Sequence, residues 1–280
     1  MKEINGGYFD GERALFASRD LKITGAVFAD GESPLKESHG ITLVDSTFGW
    51  KYPLWYSTDV RVIGGALYET ARSGIWYTNG IEMTDTRIEA PKTFRRSSGI
   101  RLTRVSMPNA AETLWHCRDV KMTDVSATGD YFGMNCHDVE CDGFTLLGNY
   151  IFDGAEGVTV RNSKLISKDA FWNARNVTVI DSVIEGEYLG WNSENVTFVN
   201  CTIESNQGLC YMKNVRLVGC KTVNTDLAFE YSTVDAEICG SIDSIKNPTS
   251  GVIRADSIGE VTVDERYTDP KKISIITNER

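Results

Sequence analysis

The sequence predicts an all-β chain, a right-handed parallel β-helix of about twelve stacked coils of roughly 19 residues. Three observations predict it. Aliphatic residues return at a near-constant interval along most of the chain. Residues that tolerate a left-handed backbone recur at two fixed places within each interval. No interval holds the roughly 10–12 residues of helical periodicity that a leucine-rich or helical solenoid needs.

The interval is set by Leu21, Ile41, Val60, Ile81, Ile100, Val120, Val139, Val158, Val177, Val196, Val215 and Val234, at spacings of 19 to 21. Two residues after most of them lies a second apolar position: Ile23, Leu43, Val62, Met83, Leu102, Met122, Cys141, Val160, Val179, Phe198 and Leu217. That period of two is the mark of a strand with one buried face. The residue before each start is Gly, Asn or Asp, from Asp20 to Asn214, and so is the residue four after it, Arg104 excepted. These residues accept positive φ, so the chain bends at both places. A further buried column follows the second bend, with Phe28, Phe48, Leu67, Ile88, Met107, Leu146, Leu165, Ile184 and Ile203. Segments such as YPLWYS, SGIWYT, DAFWNA and YLGWNS supply a third short strand. A left-handed β-helix would instead repeat an aliphatic residue every sixth position in coils of about 18. The chain reads as one domain, residues 1–280. Residues 1–20 form an N-terminal partial coil and cap, 21–251 the coils, and 252–280 a C-terminal cap and tail with a last strand pair from Val252 to Val263.

Composition narrows the function classes. With 29 Lys and Arg against 39 Asp and Glu, the net charge of −10 opposes nucleic acid and anionic membrane surfaces. The segment MKEINGGYFDGERALF lacks the apolar core of a signal peptide, and no apolar run approaches a membrane span. Seven cysteines without a secretory signal fit a reducing, cytoplasmic setting. Cys117 with Cys136, and Cys201 with Cys220, lie one coil apart and read as small core residues rather than disulfides. No CxxC, HExxH or phosphate-loop motif occurs, so neither a metal nor a cofactor is expected.

The candidate site lies on the third strand and the turn before it. Five residues before each start, one column gathers five of the six tryptophans: Trp55, Trp76, Trp115, Trp172 and Trp191. The next column includes Tyr56, Tyr77, Arg96, His116, Asn135, Asn173 and Asn192, and the one after it is small. Two arrangements fit. The indoles form a packing ladder in or on the wall, or they stand outside as apolar platforms about 4.8 Å apart, close to one sugar ring per coil. Lys51, Arg72, Lys92, Arg95 and Arg96 fall in three adjoining coils near Lys36. As a cluster they suit a carboxylate or phosphate; as ordinary surface charge they would be balanced by Glu32, Glu37, Glu69 and Glu112. Two acid pairs, Glu112 with Asp130 and Asp169 with Glu187, stack at separations of about 5–9 Å, the range of glycosidic acid–base work. His116, beside the basic cluster, is a candidate base, whereas His39 and His137 fall in turns and look incidental.

The blocks GERALF (11–16), DGESPLKES (30–38), WKYPLWYS (50–57), LISKDAFWN (165–173), GEYLGWNS (186–193), CTIESNQGLCY (201–211) and LAFEYSTVDA (227–236) resemble a bacterial family of unknown function. The resemblance covers nearly the whole chain and implies a pectin-lyase-like parallel β-helix. The wider superfamily includes lyases, hydrolases and epimerases acting on polysaccharides. The paired-Asp and Gly-His-Gly motifs of polygalacturonases are absent, as are the acidic calcium site and WIDH-like motif of pectate lyases. Two functions are expected from different classes. In the first, the protein binds or processes an acidic or phosphorylated sugar, an oligosaccharide partner. Trp55, Tyr56, Trp76 and Tyr77 lie against it, Lys51, Arg72, Lys92, Arg95 and Arg96 hold its anion, and Glu112, Asp130 or His116 transfers any proton. In the second, the protein is a non-catalytic scaffold whose aromatic wall binds protein or a second copy of itself, as a homo-oligomer.

Overall fold

The structure, a computed structural model, describes residues 2–278. It is an all-β parallel β-solenoid of about fifteen turns with spacing near 19 residues. The regular secondary structure among the described residues is strand apart from two short 3-10 turns, Glu69–Ala71 and Pro270–Lys272, so no helix is long and apolar enough to cross a membrane. The chain divides into two compact units, residues 1–145 and 146–280.

In residues 1–145 every expected rung pairing occurs. Leu21 lies beside Ile41, Ile41 beside Val60, Val60 beside Ile81, and so on through Ile100 and Val120 to Val139. These side chains and those two residues on are buried, because alternate residues of a strand face opposite sides. The second face stacks aromatic on aromatic, with Phe9, Phe28 and Phe48 at 5.0 and 4.7 Å between centroids. Residues 146–280 repeat the scheme, with Val158 beside Val177, Val177 beside Val196, Val196 beside Val215, and Val215 beside Val234. All seven cysteines are free, and six of them are buried.

Three further rungs raise the coil count from twelve. Lys2–Asn5 pairs with Leu21–Thr24, so the N-terminal cap contains a rung in register. Gly251 lies beside Val234 at a spacing of 17, which puts Ile253 rather than Val252 in the core. In the tail, Ile273–Thr277 pairs with 251–255.

Both expected bends are left-handed in each of the eleven coils that start from Leu21 to Val215, from Asp20 (φ 50°) to Asn214 (φ 58°), and from Gly25 (φ 66°) to Gly219 (φ 60°). Arg104 keeps the bend at φ 52° despite its bulk. Its guanidinium donates to both carboxylate oxygens of Asp85 on the rung below, at 2.7 and 2.9 Å.

Candidate functional site

Around the third strand the backbone is left-handed at two further columns that mix Gly, Asn and Asp with bulkier residues. One comprises Ser33, Tyr52, Ser73, Lys92, Glu112 and Tyr131, then Tyr150, Asp169, Tyr188 and Gln207 in residues 146–280. The other comprises Glu37, Tyr56, Tyr77, Arg96, His116 and Asn135, then Asn173 and Asn192. A bulky side chain in this region carries a backbone cost of order 1–3 kcal/mol, sustained only where its surroundings fix it. At Tyr56, Arg96, His116 and Tyr131 the side chain is thrown outward at a corner, whereas Ser33, Ser73 and Asp169 stay buried.

The local alternation is now resolved. Leu54, Ile75, Phe94 and Leu114 point inward, as do Ser57, Thr78, Ser97 and Cys117 three residues later. Between them the indoles of Trp55, Trp76 and Trp115 lie half-buried on the outside. Trp55 and Trp76 stack face to face, centroids 5.2 Å apart and planes 9° apart. The guanidinium of Arg95 fills the next rung, 4.7 Å from the Trp76 ring and 4.4 Å from the Trp115 ring. The indole N–H groups donate to the carbonyls of Ser73, Lys92 and Tyr131 at 2.5, 2.9 and 2.7 Å. The result is a packing ladder on the outer wall whose ring faces cover one another, leaving edges rather than platforms toward solvent.

The basic cluster separates into two groups. Lys51 pairs with Glu32 at 3.3 Å and Lys36 with Glu37 at 3.7 Å, while Glu112 accepts both Lys92 at 3.0 Å and Arg95 at 3.4 Å. Those cations are balanced by neighbouring acids. Arg72 and Arg96 are exposed, and among the described residues neither meets a carboxylate. Arg96 instead lines a polar cavity of about 290 Å³ with His116, Arg118, His137, Asn79, Ser97, Ser98 and Asn135. No acid lines it. Burial first, then the charges of Arg96 and Arg95 and the ring of His137, hold the His116 imidazole below its ordinary pKa. Next along the same column stand Tyr77 and Tyr56, stacked at 4.8 Å with planes 5° apart, Tyr56 being 48% exposed. Backbone N–H groups of Tyr56, Tyr77, Arg96 and His116 each donate to the rung above, so the column advances one residue per coil.

Glu112 and Asp130 lie on adjacent rungs, the Glu112 N–H donating to the Asp130 carbonyl at 2.9 Å, but the Glu112 carboxylate is turned onto its two cations. Arg118 went unnoticed in the sequence, and His137, expected in a turn and set aside as incidental, instead begins the strand His137–Asp142. They occupy the column two residues before each start, paired as Ser98–Arg118–His137. Reading that column beside the one carrying Arg96 and His116 would have found them, since only one small inward residue separates the two.

Residues 2–276 match the family described as a protein of unknown function, DUF3737. The chain belongs to that family. No curated protein matches it. Among solved structures it is similar to the A-module of the mannuronan C-5 epimerase AlgE4 of Azotobacter vinelandii, at 11% identity and a TM-score of 0.33, covering 98% of this chain and 86% of that one. A double mutant of the periplasmic alginate epimerase AlgG matches at 9% identity and 0.28, covering 99% and 73%. The surface adhesin PfbA of Streptococcus pneumoniae matches at 11% and 0.25, covering 91% and 70%. At these scores the likeness carries no argument about ligand or chemistry.

Proposed function

We propose that this DUF3737 protein binds an acidic saccharide along the corner of residues 1–145 that runs from Tyr56 to Asn135. The observation carrying the reading is the cavity whose lining combines Arg96, Arg118, His116 and His137 with four neutral polar residues and no carboxylate. In a chain of net charge −10, two guanidinium groups in a cavity whose lining holds no acid make a seat for an anion. The Tyr77–Tyr56 stack beside it offers aromatic surface and two hydroxyls to the adjoining sugar units. The substrate-binding set centres on Tyr56, Tyr77 and Arg96. Trp55, Trp76 and Arg95 form its supporting wall, and Lys51, Arg72 and Lys92 flank it. The reading assigns binding alone, because Glu112, one of three acid–base candidates, is already engaged by Lys92 and Arg95.

Calorimetric titration with oligouronates tests the idea. Arg96→Ala and Arg118→Ala should each weaken binding by about tenfold or more, since loss of one charge-assisted partner is worth about 1.5–3 kcal/mol. Unchanged affinity in both variants would remove the anion seat. The scaffold reading gains less support, because the indole faces it would use already cover one another. A gel-filtration dilution series checks it, since self-association through this wall would give a dissociating oligomer.

A further inference from the structure

Residues 146–280 carry the same two corner columns, but with different side chains and a different use of the indoles. Tyr150, Asp169, Tyr188 and Gln207 take the left-handed positions on four successive rungs, at φ 58°, 57°, 58° and 51°. With Trp172, Trp191 and Lys168 they line a pocket of about 410 Å³. Tyr150 and Trp172 stack at 5.9 Å, while Trp172 and Trp191 splay to 43° at 6.4 Å. Tyr188 stands at 75° to Trp191, so these two rings share no face.

Three features separate this pocket from the ladder of residues 1–145. The indole N–H groups of Trp172 and Trp191 have no hydrogen-bond partner among the described residues, whereas Trp55, Trp76 and Trp115 all give theirs to carbonyls. The side chains of Tyr188 and Gln207 likewise form no hydrogen bond among the described residues. Asp169 is only 3% exposed, and its carboxyl, held above the ordinary range by burial, accepts a hydrogen bond from Tyr150. The one cation at the rim, Lys168, is occupied by Glu187 at 3.2 Å and lies 5.1 Å from the Tyr188 ring centre.

We propose that this pocket is a second binding site, taking a neutral hexose ring or a short neutral oligosaccharide, distinct in place and in ligand charge from the anion seat. Stacked rings turn their edges outward, and ring edges and indole N–H groups are electropositive. They therefore meet ligand oxygens rather than an organic cation, which Lys168 would also repel. A polyhydroxylated ring matches the inventory: its oxygens accept from Trp172, Trp191 and Gln207, a hydroxyl donates to Asp169, and its C–H face rests on Tyr188. A carboxylated sugar would be set against the Asp169 carboxyl with no free cation to offset it.

Intrinsic tryptophan fluorescence, titrated with cellotetraose, mannotetraose and maltotetraose, tests the site. At least one should give a saturable change, about tenfold weaker in Asp169→Asn and in Trp191→Phe. Asparagine suits the left-handed backbone and phenylalanine keeps the stack, so both variants should retain the parent's thermal unfolding midpoint. Arg96→Ala should leave this binding unchanged, which separates the outcome from that of the anion seat. The site is overturned if none of the three sugars binds, if both variants bind as the parent does, or if tetramethylammonium competes with the sugar.

Discussion

His116 shows how one residue ties the anion seat to pH. A base whose pKa is lowered on folding binds fewer protons in the folded chain than in the unfolded one. Its effect on stability is absent above the ordinary histidine value of about 6.5 and becomes a loss as pH falls below it. An anion in the cavity reverses the sign, because it favours the imidazolium that Arg96, Arg95 and His137 disfavour. Oligouronate affinity should therefore rise as pH falls from about 7.5 to about 5.5, a window in which a uronate of ordinary carboxylate pKa stays ionised. In His116→Gln this part of the pH dependence should vanish while binding at neutral pH persists. Calorimetry across that range decides it: an equally steep rise in the variant would assign the proton elsewhere.

Among the elements, the Trp55–Trp76–Arg95–Trp115 ladder joins four rungs through ring faces and one guanidinium. Arg95 is a wall component: its side chain is 20% exposed and its buried Nε has no partner, a deficit offset by two indole faces and the Glu112 carboxylate. Arg95→Ala should lower urea-measured stability by about 1–3 kcal/mol, leaving Glu112 to Lys92 alone. Arg95→Lys should recover only part of that, since an ammonium lacks the planar face. Full stability in the alanine variant would refute the clamp. The ladder also marks what the sequence made legible. Column and spacing were readable because tryptophan is rare and falls at one interval. The direction of the indoles was not, because Leu54–Trp55–Tyr56–Ser57 alternates only if the backbone turns left-handed at Tyr56, and tyrosine gives no sign of that. The two bend columns filled almost throughout by Gly, Asn and Asp were foreseen, whereas the two that mix them with Tyr, Lys, Glu, Arg and His were not. The aromatic pocket was missed because it joins two columns, Trp172 and Trp191 with Tyr150, Asp169 and Tyr188, of which only the first was followed.

For the molecule as a whole, the repeat is visible wherever the core demands an aliphatic residue and fades where it does not. The twelve aligned starts are all aliphatic and pair as expected within residues 1–145 and within residues 146–280, but the added rungs place Lys2 beside Leu21 and Gly251 beside Val234, and the last arrives after a gap of 22 at Ile273. If registry is what specifies the fold, length matters more than content: a solenoid rung contacts only its neighbours, so a complete coil is removable. Deleting Val177–Asn195 joins Asn176 to Val196, bend residue to strand start, and should leave a protein that unfolds cooperatively at modestly reduced stability. Deleting Val177–Glu194 removes one residue fewer and places Asn195 where a core valine belongs, turning the strand's inward set outward. That variant should fail to fold or lose several kcal/mol, each buried valine being worth about 1.5–3 kcal/mol. The first deletion also removes Trp191 and Tyr188, so it should abolish neutral-sugar binding while leaving oligouronate binding by residues 1–145 in place. Circular dichroism with urea titration of both variants decides the point, and equal stability of the two would mean that something other than vertical registry holds the coils.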